Sequence, residues 1–235
     1  IQEDLKRRDF TINAMAYDLL ENRLLDPHGG RTDLKAGIIR AIGDPLERFE
    51  EDGLRPVRAC RFAAQLGFTI QDHTFAAIPR CLDTVKQVSS ERIRDELIRI
   101  LETPTPSVGL DLLNECGILQ LVIPELPACA EVSQGQMHRY DLYHHLLYSC
   151  DAAPRDNQVV RLAALLHDLG KPQTMDRSPD GAIRFHGHEE LSARLTERVL
   201  RRLRFPNQVV KQVSHLVAQH MFHYEENWTD AAVRR

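Results

Sequence analysis

His167 and Asp168 stand together at the end of an apolar run, LAALLHDLGK (162–171). A charged pair is costly to bury there unless it coordinates something. Seven of the 11 histidines gather in three groups: His138/His144/His145, His167, and His186/His188 with His220. RFHGHEE places His188 on a loop entering a helix, and LVAQHM offers His220. Histidine and aspartate together give mixed nitrogen and oxygen ligation, which suits a borderline or hard divalent ion. Lys171 follows in DLGKP, where it could touch a phosphate. His138, His186 and His223 read as ordinary surface or core histidines.

A second chemistry sits in RFEEDGLRPVRACRF (48–62). Pro56 is tolerated only in a first turn, so a helix begins near Leu54 with Asp52 close to its cap. Asp52 and Arg55 lie three apart at that start, where both side chains can enter one pocket. An aspartate accepts and an arginine donates through a planar fork. That pair fits the Watson–Crick edges of adenine and cytosine, each an amino donor beside a ring acceptor. Guanine and uracil put a carbonyl where the amino group should be. The plainer reading is a cap with an i,i+3 ion pair on a surface helix.

The elements that must hold these residues follow from periodicity. AMAYDLL and NRLLDP flank Glu21-Asn22 as short strands around a turn, and GIIRAIG reads as another strand. DPHGGRTDL reads as loop punctuation. From Asp44 the period becomes helical in LRPVRACRFAAQLGF, SSERIRDELIRILET and PSVGLDLLNECGILQLV. Residues 124–138 lack periodicity and read as a linker. YHHLLYSCDAA, QVVRLAALLHDLG, HEELSARLTERVLRRLRF and NQVVKQVSHLVAQHM are helical again. The fold class is α+β, mainly α: a stub with strands (1–43), a helical middle (44–123) and an all-α second domain (138–235).

The 235 residues are 43% hydrophobic and carry a net charge of −4, so nucleic-acid binding must come from local patches. Lys6-Arg7-Arg8 and the Arg55/Arg58/Arg61 row are such patches, whereas Arg201-Arg202-Arg204 reads as a solvated helix face. Five scattered cysteines form no C-x-x-C pair, which fits a reducing cytosol rather than a disulfide framework or zinc knuckle. No apolar run reaches membrane-spanning length.

RRDFTINA (7–14), DPHGGRTDL (26–34), IRAIGDPLERFEEDGLRPVRACRFAAQLGF (39–68) and SSERIRDEL (89–97) resemble, in order, motifs of the bacterial tRNA nucleotidyltransferase (CCA-adding) and poly(A) polymerase family. The resemblance implies a remnant of a polymerase-β-like head followed by a helical neck and body. It assigns Arg8 and Asp9 to the incoming nucleotide's ribose and triphosphate. It makes Asp52 and Arg55 the amino-acid template for C and A, lets Arg58 help hold the nucleotide, and has Glu91, Arg92 and Glu96 brace the template helix. CTP, ATP and the tRNA 3′ end are the implied partners. The family's Gly-Gly loop and D-x-D, which bind Mg²⁺, are expected before residue 1, so no nucleotidyl transfer is expected from this segment alone.

The second half resembles the HD superfamily of metal-dependent phosphohydrolases. Its H…HD…H…H pattern implies His145, His167, Asp168, His188 and His220 as ligands of a divalent transition metal, with Asp230 as a possible last carboxylate. His145 is preferred to His144 because Asp141 precedes it by four. The implied chemistry is hydrolysis of phosphomonoesters or 2′,3′-cyclic phosphates. A stand-alone HD hydrolase and a poly(A) polymerase are the alternatives, and the sequence leaves the oligomeric state open.

Overall fold

Asn22 turns the chain in the left-handed region, with φ 50, a conformation asparagine tolerates. The turn pairs β1 (Ala16–Asp18) antiparallel with β2 (Arg23–Leu25), as the alternation around Glu21-Asn22 predicts. A short helix, α1 (Gln2–Lys6), precedes this hairpin. The computed structural model describes residues 1–130, 132, 140–178 and 183–221. His138, His223 and Asp230 lie outside the described residues.

DPHGGRTDL differs from the sequence expectation, because it holds a helix, α2 (Gly30–Ala36). Asp26 supplies the reason: its carboxylate accepts from the amides of Gly30 (2.7 Å) and Arg31 (3.0 Å). Those amides would otherwise be orphaned at the helix start. β3 (Ile38–Ile39) then pairs in parallel with β4 (Thr69–Ile70), a strand that sequence reading missed because it is two residues long.

Asp44 caps α3 (Pro45–Glu51), accepting from Leu46 (2.8 Å) and Glu47 (3.2 Å) amides. α4 (Leu54–Leu66) begins where Pro56 requires and ends on Gly67. α5 (Asp72–Ala77), α6 (Leu82–Lys86) and the Ser89-capped α7 (Ser90–Leu101) follow. The segment 106–122 is not one helix: Gly117, at φ 84, divides α8 (Pro106–Glu115) from α9 (Ile118–Val122). Beyond it come α10 (Leu142–Ala152), α11 (Gln158–Leu166) and α12 (Lys171–Thr174). A hairpin of β5 (Met175–Arg177) and β6 (Ile183–Phe185) leads into α13 (His188–Arg202) and α14 (Asn207–Ala218).

One buried apolar cluster runs from Phe10 to Val217. Leu126 and Cys129, in the stretch expected to be a linker, are fully buried within it. Polar ties cross the same seam. The buried Arg161 of α11 donates to the carbonyls of Leu101 and Thr103 at the end of α7. Asp151 of α10 accepts from the Ser107 amide (2.9 Å) and hydroxyl (2.6 Å), capping α8. The two halves therefore hold each other in place.

All five cysteines are free and buried. Among the described residues no helix is long and apolar enough to cross a membrane.

Asp33 anchors α2 to the first segment. It accepts from the buried Thr11 hydroxyl (2.7 Å) and from Arg40 Nε (3.0 Å). Burial pushes its carboxyl up, but the Arg40 and Thr11 hydrogen bonds outweigh that and hold it below the usual value. A carboxyl depressed by folding contributes stability above its unfolded pKa, near 4, and loses it as pH falls through the folded pKa. Asp33→Asn should therefore cost about 1–2 kcal/mol near neutrality. The gap from wild type should narrow steadily in melts taken at pH values falling below the unfolded pKa; a gap that does not narrow in acid would exclude the charge as its source.

Candidate nucleotide cleft and metal centre

A cleft of about 490 Å³ opens where the first segment meets the start of α4. Arg8, Asp9, Asp52, Arg55 and Arg58 all line it, so the structure brings the five sequence-selected residues to one surface. Arg7, Asn13, Leu54 and Phe62 join them. Phe62 carries no polar signal in the sequence, yet it stands at i+7 from Arg55 and i+4 from Arg58, on the same helical face.

The expected i,i+3 pair between Asp52 and Arg55 is not what the side chains form. Asp52 takes the Leu54 amide on Oδ1 (3.0 Å) and Arg92 on Oδ2 (2.8 Å). Burial raises its pKa, but Arg92 and the Leu54 amide prevail and keep the carboxylate ionised. Arg55 instead reaches Glu51 (2.5 Å), the Arg48 carbonyl (2.8 Å) and the Arg7 carbonyl (2.9 Å). Its Nε–H and one Nη2 proton are not used by these bonds, and the Asp52 carboxylate retains acceptor capacity. Both groups are thus held by the protein, keep unused hydrogen-bonding capacity and line the cleft. Gly53 lets this happen: a Cβ there would lie 2.4 Å from the Thr84 carbonyl oxygen, so any side chain would push α4 away from α6.

Behind the cleft runs a charge relay. Asp9 is buried and accepts from Arg58 Nε (2.7 Å), Asn13 Nδ2 (3.0 Å) and the Phe10 amide (2.9 Å). Arg58 also approaches Glu96 (3.8 Å), which binds Arg61 (2.5 Å) and Arg99 (3.1 Å). Arg61 is therefore not the third member of an exposed row: it is buried, with its guanidinium over the Phe62 ring. The helical period predicts its side correctly, but that side is covered by α7. The Arg201-Arg202-Arg204 run behaves as expected of a solvated face, with Arg201 on Glu197 and Arg202 on Glu125.

The second cluster draws on residues between 145 and 220. His145 comes from α10, His167-Asp168 from the end of α11, His188 from the first position of α13, and His220 from just past α14. Two groups form, His145/His167/Asp168 and Asp168/His188/His220, with ligand atoms within 4.8 Å in each. Asp168 belongs to both. The Nε2 atoms of His145 and His167 are 3.2 Å apart, as are those of His188 and His220. His144 and His186 are not members, as the spacing from Asp141 implies for His144.

The protons in this cluster can be placed. His167, His188 and His220 direct Nδ1 at the carbonyls of Ala164 (2.9 Å), Phe185 (2.6 Å) and Val217 (2.7 Å). A carbonyl only accepts, so each Nδ1 carries the hydrogen, and wherever the ring is neutral its Nε2 turns a lone pair inward. Lone pairs at 3.2 Å beside a carboxylate repel unless a cation lies among them. Asp168 Oδ1 is buried without a hydrogen-bond partner. Burial pushes the Asp168 carboxyl up, but the imidazoles of His167, His188 and His220 set against it outweigh burial and hold it far below the carboxylate range. Asp168 in turn raises His188. Both shifts express one demand, positive charge at the centre of the cluster. These residues fit a divalent ion, with the backbone carbonyls fixing ring orientation from behind. Lys171 Nζ, 2.7 Å from Asp168 Oδ2, meets part of that demand from one side.

Gly170 makes the cluster possible. A Cβ there would sit 2.7 Å from the His188 carbonyl oxygen and 2.8 Å from the Ser192 amide. Its own amide donates to Ser192 Oγ (2.9 Å). Gly170→Ala should displace the start of α13, carry His188 away from Asp168, and weaken metal binding about 10-fold or more. Titration with Mn²⁺ checks this; unchanged affinity would show that α13 yields without moving His188.

Three family models match the chain in order. They are the poly A polymerase head domain over residues 1–40, a probable RNA and SrmB-binding site of polymerase A over 67–129, and the HD domain over 137–234. The A-adding tRNA nucleotidyltransferase of Deinococcus radiodurans is 38% identical over the whole chain, covering 55% of that relative. The chain belongs to the tRNA nucleotidyltransferase and poly(A) polymerase family, in its HD-bearing form. Within this family, the multifunctional CCA protein of Nitrosospira multiformis is 39% identical over 94% of the chain and 53% of its own length. The Bacillus stearothermophilus CCA-adding enzyme, solved in complex with CTP, superposes with a TM-score of 0.62 at 29% identity, over 98% of this chain and 50% of that one. The chain spans about half the length of the curated relatives it matches. The chain has the mainly helical α+β fold expected from the sequence.

Proposed function

We propose that this chain is the nucleotide-selecting and HD portion of a tRNA 3′-end nucleotidyltransferase, adding C, A or both from CTP and ATP. The observation that carries the reading is the convergence of Asp52, Arg55 and Arg58 with Arg8 and Asp9 on one cleft. Asp52 accepts from the exocyclic amino group of C or A, and Arg55 donates to the adjoining ring nitrogen. Arg92 and Glu51 hold the two side chains so that little order is lost when the base arrives. Arg8 and Arg58 supply positive charge for the ribose and triphosphate. Mg²⁺ for the transfer step is assigned to carboxylates outside these 235 residues. The RNA partner is the tRNA 3′ end and the compartment is the cytoplasm.

The HD portion is assigned a divalent transition metal held by His145, His167, Asp168, His188 and His220. Such an ion, when bound, polarises a phosphate oxygen and makes water more acidic. Asp168 supplies the shared negative charge, and the carbonyl-anchored imidazoles hold their lone pairs in place. Lys171, next to Asp168, faces a phosphate ester and offsets its charge. A phosphomonoester or cyclic phosphate at an RNA end is the substrate class.

In the full-length protein carrying this chain, Asp52→Ala should narrow discrimination of C and A against G and U by about 10- to 100-fold, the value of one or two misplaced hydrogen bonds. Nucleotide incorporation into a tRNA lacking its 3′ end measures it. Unchanged nucleotide choice would reject the template. No incorporation by wild type would favour the stand-alone HD hydrolase.

A further inference from the structure

The metal cluster is unevenly covered. Asp168 and His188 are almost enclosed, whereas the His145 side chain keeps 32% of its surface exposed, the most of any member. A substrate must therefore approach past His145, along α10. At about 100° per residue, Leu142 and Leu146 fall on one side of His145 and are buried in the core. Asp141, Tyr148 and His144 fall on the other, with Tyr148 one turn from His145.

That open side is aromatic. Tyr140, His144 and Tyr148 recur every four residues and form a stripe, and each is about two-fifths exposed. Tyr140 and Tyr148 meet edge to face at 4.8 Å between centroids, and the His144 ring lies 5.8 Å from Tyr148. Asp141 Oδ2 holds His144 Nδ1 at 2.6 Å, so the imidazole cannot swing. Three rings on a solvent-facing stripe are not part of the core. They form a fixed ring surface one helical turn from the ligand at the mouth of a phosphate-directed metal centre.

We propose that Tyr148, with His144 and Tyr140, is a stacking shelf for a nucleobase, so that the HD centre takes nucleotide-type phosphate esters in preference to base-free ones. This rests on the HD reading above and names its substrate class. Every base offers a π-face, so such a shelf accepts an RNA end of any sequence. Tyr148 acts here as a specificity-determining residue.

Calorimetric titration of the Mn²⁺-loaded chain with AMP and with ribose 5-phosphate tests the shelf, counting only binding that EDTA abolishes, which excludes the template cleft. AMP should bind tighter than ribose 5-phosphate by about 5- to 100-fold. Tyr148→Ala should remove most of that ratio, and Tyr148→Phe, which keeps the ring, should preserve it. Equal binding of the two ligands by wild type, a ratio that survives Tyr148→Ala, or binding of neither ligand would overturn the proposal. Turnover of p-nitrophenyl phosphate is read separately: its absence would defeat the hydrolase reading while the binding ratio still judges the shelf.

Discussion

Asp168→Ala should strip bound metal from the protein, lowering affinity by more than about 100-fold, beyond what loss of an outer-shell partner causes. Asp168 is the one carboxylate in the cluster among the described residues and belongs to both ligand groups. Without it, His145, His167, His188 and His220 offer only neutral nitrogens, and no anion balances the ion. Asp168→Asn, which keeps the shape and removes the charge, should behave the same way. His145→Ala is the contrasting case, because it leaves Asp168, His188 and His220 intact. Metal content by elemental analysis should therefore fall furthest for the Asp168 variants and only in part for His145→Ala. Equal retention by Asp168→Asn and wild type would show that the imidazoles alone hold the ion. Loss of phosphate-ester hydrolysis should follow metal content across the three variants, whereas C and A selection should not.

Much of this arrangement is legible in the sequence, for reasons that differ by region. The metal cluster reads well because His167-Asp168 interrupts an apolar helix and His188 follows a loop glycine, both anomalies against a simple pattern. Asp52 and Arg55 read well because Pro56 fixes where α4 starts, and the helix start fixes which side chains share a pocket. Contacts that close over long separations do not read from periodicity or spacing; only the family resemblance sets Arg92 and Glu96 against the template helix. Asp52 pairs with Arg92, 40 residues away, rather than with its neighbour Arg55. Arg161 is unremarkable in VVRLAALL, yet it is buried and ties the two halves together through backbone carbonyls of α7. α2 reads as a loop because the residue that caps it, Asp26, stands outside the helix, and Pro27, Gly29 and Gly30 look like turn punctuation. Tyr148 reads as one more apolar residue of an amphipathic helix, and only its exposure beside His145 sets it apart.

Glu96→Ala should be the most destabilising single change in the first half, by about 3–5 kcal/mol. The Arg61 and Glu96 side chains are 5% and 4% exposed and meet at 2.5 Å. Burial already works against the Arg61 charge, and Glu96 is the partner that offsets it. Removing Glu96 leaves a guanidinium buried against α7 with Gln65 as its remaining hydrogen-bond partner. Urea denaturation measures the loss; a change under about 1 kcal/mol would show that water or Gln65 replaces the carboxylate. A double variant separates stability from selection. Arg61→Met with Glu96→Leu fills the same volume with apolar groups, and such replacements are neutral to stabilising elsewhere. It should recover most of the lost stability. It should not recover nucleotide selection in full, because Arg58 also leans on Glu96 while it holds Asp9 at the cleft. If the double variant selects C and A as well as wild type does, then Asp9 alone positions Arg58, and Glu96 serves the fold without serving the site.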